Sequence, residues 1–171
     1  YYIKPQGEIE LTEELIRRVK ARMEEYVSRK IPIMKRSVNT DDAIELFHKH
    51  RMYDKERLFR YRRVSRVNIY SIGGFEDYYY GYMVQNTGYI KYFDLVLFDD
   101  GFMLMLPQKE SPKEVPVFQA ENKQKIYQVL KESVKWGERL NVSHVGALNE
   151  QIAEGNINEL ILIQEALQEK K

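Results

Sequence analysis

Two apolar runs, Tyr92 to Phe98 and Phe102 to Leu106, flank Asp99-Asp100-Gly101. The pattern predicts a β-hairpin with Gly101 at a positive-φ position. It commits this region to antiparallel strands, and the neighbouring segments supply helices to pack on them. Leu15, Ile16, Val19, Met23, Tyr26 and Val27 recur at helical spacing. Thr12 suits the N-cap of that helix, Glu13 and Glu14 suit its positive end, and Leu11 with Ile16 fit a hydrophobic staple. Thr40 or Asp41 is expected to cap a second helix, with Ala43, Ile44 and Phe47 as its apolar face. Ile31, Ile33 and Val38 suggest a short extended segment, and β-branched content predicts a strand over 64–72. Residues 73–88, rich in Gly and Tyr, read as an ordered loop. Three of the five prolines, Pro107, Pro112 and Pro116, mark a linker.

From Gln119 onward the pattern is helical. Ile126, Val129, Leu130, Val134 and Leu140 form one amphipathic stretch, and Ser143 is expected to cap a second. Gly155 breaks the second, and Asn156 opens a third. The expectation is therefore an α+β fold: an antiparallel sheet with packed helices over 1–106, a linker over 107–118 and a helical connector over 119–171.

Composition narrows the chemistry. None of the 171 residues is Cys, so disulfides, Cys-bearing zinc sites and Cys nucleophiles are excluded. The same absence fits a reducing cytosol, and a cytoplasmic location is expected. No apolar run approaches ~18 residues, so no membrane-spanning helix is expected. The opening Tyr1-Tyr2-Ile3-Lys4-Pro5 lacks a Met, and Leu160 to Lys171 reads as a helix without a C-cap Gly; the chain is expected to be part of something larger. His48 and His50 would point about 200° apart on a helix, so no shared metal is expected. No Gly-x-Ser-x-Gly elbow and no Gly-Lys-Ser/Thr phosphate loop is present. Asp41-Asp42 and Asp99-Asp100 read as a helix start and a hairpin turn.

Two constellations stand out. Residues 49–66 carry eight Lys and Arg, including Arg57, Arg60, Arg62, Arg63 and Arg66, against Asp54 and Glu56, with Phe59 and Tyr61 interleaved. Arginine binds phosphate bidentately and aromatic rings offer stacking platforms, so one reading is an edge contacting RNA or a nucleotide. The other is a solvated helix end and strand whose arginines pair with nearby acids. In a strand, Arg60 and Arg62 would share a phosphate-facing side, with Tyr61 turned inward. The second constellation, Phe75 to Tyr82, holds four tyrosines beside Gly73, Gly74 and Gly81. Its rings either floor a pocket or sit half-buried under the loop.

Residue order adds a resemblance. Tyr1-Tyr2, Leu11-Thr12-Glu13-Glu14, Ala43, Phe47, Lys55 and the strand at Val67–Ile72 resemble the editing-type domain of threonyl-tRNA synthetase over about the first 106 residues. The most specific part is Asp77, Gly81, Asn86 and Thr87, which match the family run Asp-x-Cys-x-Gly-x-His-x-x-Asn-Thr. Tyr79 stands where that motif has Cys and Met83 where it has His. Neither supplies a thiolate or an imidazole, so the resemblance implies the fold with the editing chemistry lost. A second resemblance covers nearly the whole chain. Val145-Gly146-Ala147-Leu148-Asn149-Glu150 and Leu160 to Lys171 resemble the approach to the kinase domain in bacterial uridine kinase-like proteins of the phosphoribulokinase/uridine kinase family. It implies an accessory, non-catalytic domain without a cofactor of its own, upstream of a kinase domain that lies outside this chain and uses ATP and magnesium. The partners it implies are that kinase domain and RNA or a nucleotide; a homo-oligomer stays open. A degenerate aminoacyl-ester hydrolase and a purely structural dimerisation or docking module are the alternatives.

Overall fold

The computed structural model describes residues 1–5, 7–119 and 124–169. The fold is α+β, with two three-stranded antiparallel sheets and, among the described residues, six α-helices. The chain forms two compact units, each built from separate stretches: Tyr1–Met34, Ser71–Glu76 and Gly81–Gln124 in the first, Lys35–Tyr70, Asp77–Tyr80 and Lys125–Lys171 in the second.

In the first unit, helix α1 (Glu13–Arg29) starts as the sequence predicts: Thr12 Oγ1 accepts from the Leu15 N–H at 3.1 Å. Lys30 closes it in the left-handed conformation, φ 49°. Ile16 is its buried side chain, and Lys20 reaches Asp94 at 2.8 Å. The first sheet has the order β1-β6-β5: β1 (Tyr2–Ile3), β6 (Gly101–Met105) and β5 (Asp94–Phe98). The expected hairpin is present, with Phe98 opposite Gly101 and Leu95 opposite Leu104. Its turn chemistry differs from expectation. The positive φ, 51°, falls on Asp99 and not on Gly101. Gly101 is required for another reason: a Cβ there would meet the Ile3 carbonyl and lie 2.6 Å from the Tyr2 hydroxyl. Residues 107–119 carry no helix or strand.

The second sheet, order β2-β3-β4, comprises Met34–Asn39, Arg66–Ile72 and Phe75–Tyr78. Part of the stretch expected to be loop is therefore strand β4. Two helices of the second unit supply most of its core. Helix α2 (Thr40–Lys49) buries Ala43 and Phe47, and helix α3 (Tyr53–Tyr61) buries Phe59. With Val67 and Ile69 of β3 they form one cluster, in which the rings of Phe47 and Phe59 stack at 5.4 Å. Full burial of such a side chain contributes about 1.5–3 kcal/mol. The N-cap of α2 is Asn39, without a side-chain cap bond. Thr40 is already helical, and its hydroxyl donates to the Val64 carbonyl instead.

The C-terminal region is helical, as expected: α4 (Gln124–Arg139), α5 (Val145–Ala153) and α6 (Ile157–Gln168). The α5 cap is His144, not Ser143. Its Nδ1 accepts from the Ala147 N–H at 3.1 Å, so the imidazole does what a Ser hydroxyl ordinarily does. Of the helix expected over 160–171, Lys170 and Lys171 lie outside the described residues.

Candidate nucleic-acid interface

The basic stretch is not one strand. Tyr53 to Tyr61 is helical, Arg62 is extended at φ −85° and ψ 119°, and pairing in β3 begins at Arg66. Tyr61, expected inward, is exposed. The reason is Phe59: its burial beside Phe47 fixes which face of α3 points inward, and Tyr61 falls off that face.

Most of these arginines have partners inside the second unit. Arg57 approaches Glu150 of α5 at 3.7 Å, a loose pair. Arg60 bonds Glu56 one turn back. Glu56 is buried, and its other oxygen lies 2.9 Å from His48 Nδ1. The His48 bond, with Arg60 beside it, holds the Glu56 carboxyl below the usual carboxylate range, against the opposing effect of burial. Arg66 reaches across to β2, donating to the Ser37 carbonyl at 2.9 Å, Ser37 Oγ at 3.1 Å and Asn39 Oδ1 at 3.2 Å. Arg63 is exposed.

Arg62 has a different environment. Its guanidinium donates to the Tyr78 hydroxyl at 2.5 Å and lies 5.4 Å from the ring centres of both Phe59 and Tyr78. Its hydrogen-bond partner is neutral, so its charge is held in place without being cancelled. Arg60 and Arg62 line one cleft of about 450 Å³ with Phe59, Asn39 and the first turn of α2. The two residues expected to act together do share a site, although one comes from a helix end and the other from extended chain. Asp41 lines the same cleft and opposes an incoming anion. Sequence reasoning missed Tyr78 as the residue that positions Arg62. The Arg60–Glu56 pair fits the alternative reading, in which arginines pair with nearby acids, and its i, i+4 spacing was the available signal.

The synthetase-like residues fall in both units. In the second, Asp77 pairs with Lys55 and its Oδ1 accepts from the Tyr78 N–H at 2.6 Å. Tyr79 packs edge-on against Tyr70 at 6.4 Å and lies beside Tyr80. In the first, Asn86 Oδ1 accepts from the Gly88 N–H at 3.0 Å, starting a short 3-10 turn at Thr87–Tyr89. Thr87 is buried: its hydroxyl donates to the Tyr26 carbonyl and its N–H to the Ile31 carbonyl at 3.0 Å. Asn86 and Thr87 thus fasten a loop to the C-terminal end of α1. Gly81 is half-buried and Met83 exposed. Tyr80 and Tyr82 are not half-buried; Tyr82 is 93 % exposed.

Among the described residues, no group of three or more His, Asp or Glu side chains is placed to hold a metal ion, and no helix is long and apolar enough to cross a membrane. No protein-family model matches the chain, and no curated protein matches it significantly.

Proposed function

We propose that this chain is a non-catalytic accessory module of a uridine kinase-like nucleoside kinase, and that it binds the phosphates of a nucleotide or RNA at the Arg60–Arg62 cleft. The kinase parent rests on the sequence resemblance; ATP and magnesium belong to that kinase domain. The observation that carries the binding role is Arg62, a cation oriented by a phenol and two ring faces at the wall of a cleft. A guanidinium so held retains donors and charge for a phosphate oxygen.

The test is fluorescence anisotropy with a labelled single-stranded RNA and with nucleotides, repeated over a salt series. Arg60→Ala with Arg62→Ala should weaken binding by about 1–3 kcal/mol and flatten the salt slope by roughly two units, if each residue neutralises one phosphate. Arg62→Ala alone is the cleaner variant, because Arg60 also partners the buried Glu56. A parent chain that binds no polyanion at low salt, or a double variant that binds as the parent does, rejects the cleft as a phosphate site.

A further inference from the structure

Helix α5 has two unlike faces. The inner face packs on α3 through small residues, Gly146 and Ala147, both buried, and Glu150 turns toward Arg57 of that basic helix. The outer face carries Val145, Leu148 and Ile152 at i, i+3 and i+7, which places them in one stripe. They are 63 %, 36 % and 48 % exposed. Helix α6 follows after Glu154, Gly155 and Asn156 and leaves Ile161 and Leu162 exposed as well. Single exposed apolar side chains are ordinary on a protein surface. A stripe at helical spacing, on a helix whose opposite face is already packed, has the form of a seam.

Charge identifies what covers it. From His144 to Glu169 the chain carries five glutamates and no Lys or Arg. Glu154, Glu159 and Glu165 are exposed. An apolar stripe on helices whose charged side chains are all glutamates attracts a cationic partner and repels another acidic one. A second copy of the same face would set like charges together. The inner face already shows the chemistry in use, with a basic helix lying on α5 and an arginine directed to its glutamate. The outer stripe spans about two helical turns, the contact length of a short docked helix.

We propose that the outer face of α5, with α6, is a docking surface for a basic amphipathic helix of a protein partner. That helix presents apolar residues at i, i+3 or i+4 and i+7, flanked by Lys or Arg. The surface does not depend on the Arg60–Arg62 cleft.

Two 14-residue synthetic helices with one apolar pattern, one Leu/Lys and one Leu/Glu, provide the test when titrated against the full chain by anisotropy. The Leu/Lys helix should bind at least tenfold more tightly than the Leu/Glu helix. Leu148→Ser with Ile152→Ser should weaken that binding at least tenfold while far-ultraviolet circular dichroism stays unchanged. Should that variant misfold, Glu154→Gln with Glu159→Gln removes two surface charges while leaving an amide oxygen to accept from Gln151 and Asn156, and it should weaken binding and reduce its salt dependence. Equal binding of both helices, binding of neither, or full affinity in the surface-charge variant overturns the proposal. So does sedimentation showing a dimer that the serine pair dissolves, since a second copy would then be the occupant.

Discussion

Replacing Gly146 with Ala should undock α5 from α3. An added Cβ would lie 2.6 Å from the Leu58 nitrogen, 2.9 Å from the Asp54 carbonyl oxygen and 3.0 Å from the Arg57 carbonyl carbon. All three are backbone atoms inside a helix, so no side chain can swing away. Ordinary contact begins near 3.4 Å, and α5 must therefore retreat by about 0.8 Å or tilt. Overpacking of this kind costs about 1–3 kcal/mol. Alanine returns at most about 1 kcal/mol through helix propensity. The expected net loss is about 1–2 kcal/mol, or roughly 2–8 °C in Tm for a chain of this size. Urea unfolding followed by circular dichroism reads the energy, and hydrogen exchange of the 147–153 amides reads its location. Gly137→Ala in α4 is the control. Its nearest neighbour would be the Val142 carbonyl at 3.4 Å, so it should be neutral or slightly stabilising. Unchanged stability and unchanged exchange in Gly146→Ala would refute the close-approach argument.

Gly101→Ala should separate β1 from β6 at a cost of about 1–3 kcal/mol, read as faster exchange of the Leu104 N–H, which donates to the Tyr1 carbonyl at 2.7 Å. Because the Glu56 carboxyl titrates below its ordinary value in the folded state, its contribution is present above the unfolded glutamate range near ~4.3 and is lost as pH falls through the lower folded value. Glu56→Gln should therefore flatten the acid side of the stability–pH curve, measured by urea midpoints from pH 6 down to pH 3. Purified protein should hold no stoichiometric zinc after dialysis; about one zinc per chain by elemental analysis would contradict the reading of Tyr79 and Met83 as lost ligands.

Elements whose determinants are local were legible in the sequence. Thr12 with Glu13 and Glu14, the periodic face from Leu15 to Val27, and the two apolar runs around Asp99-Asp100 each carry their own signal, and each forms the expected element. Helix α3 was not legible. The residue that continues its inward face from Phe59 is Glu56, a charge that hides the helical period and is tolerated because Arg60 pairs with it and His48 hydrogen-bonds it. The α5 cap, His144, was not legible because imidazole is an uncommon acceptor at that position and Ser143 beside it is a common one. In the candidate site, Arg60 and Arg62 could be singled out from charge and spacing. Tyr78, which orients Arg62, lies sixteen residues on and becomes a partner only through the second sheet.

The two compact units are interleaved along the chain, and this sets a timetable. Synthesis delivers α1 early, yet the strand it packs on, β5, begins at Asp94. By then Ala43, Phe47, Phe59, Val67 and Ile69 have all been made and can already condense. The surface of α3 that receives Gly146 stays uncovered for some fifty residues more. The second unit therefore starts before the first can close and finishes after it. An N-terminal fragment ending near residue 106 leaves that surface of α3 open, and this is the species in which self-association during expression should concentrate.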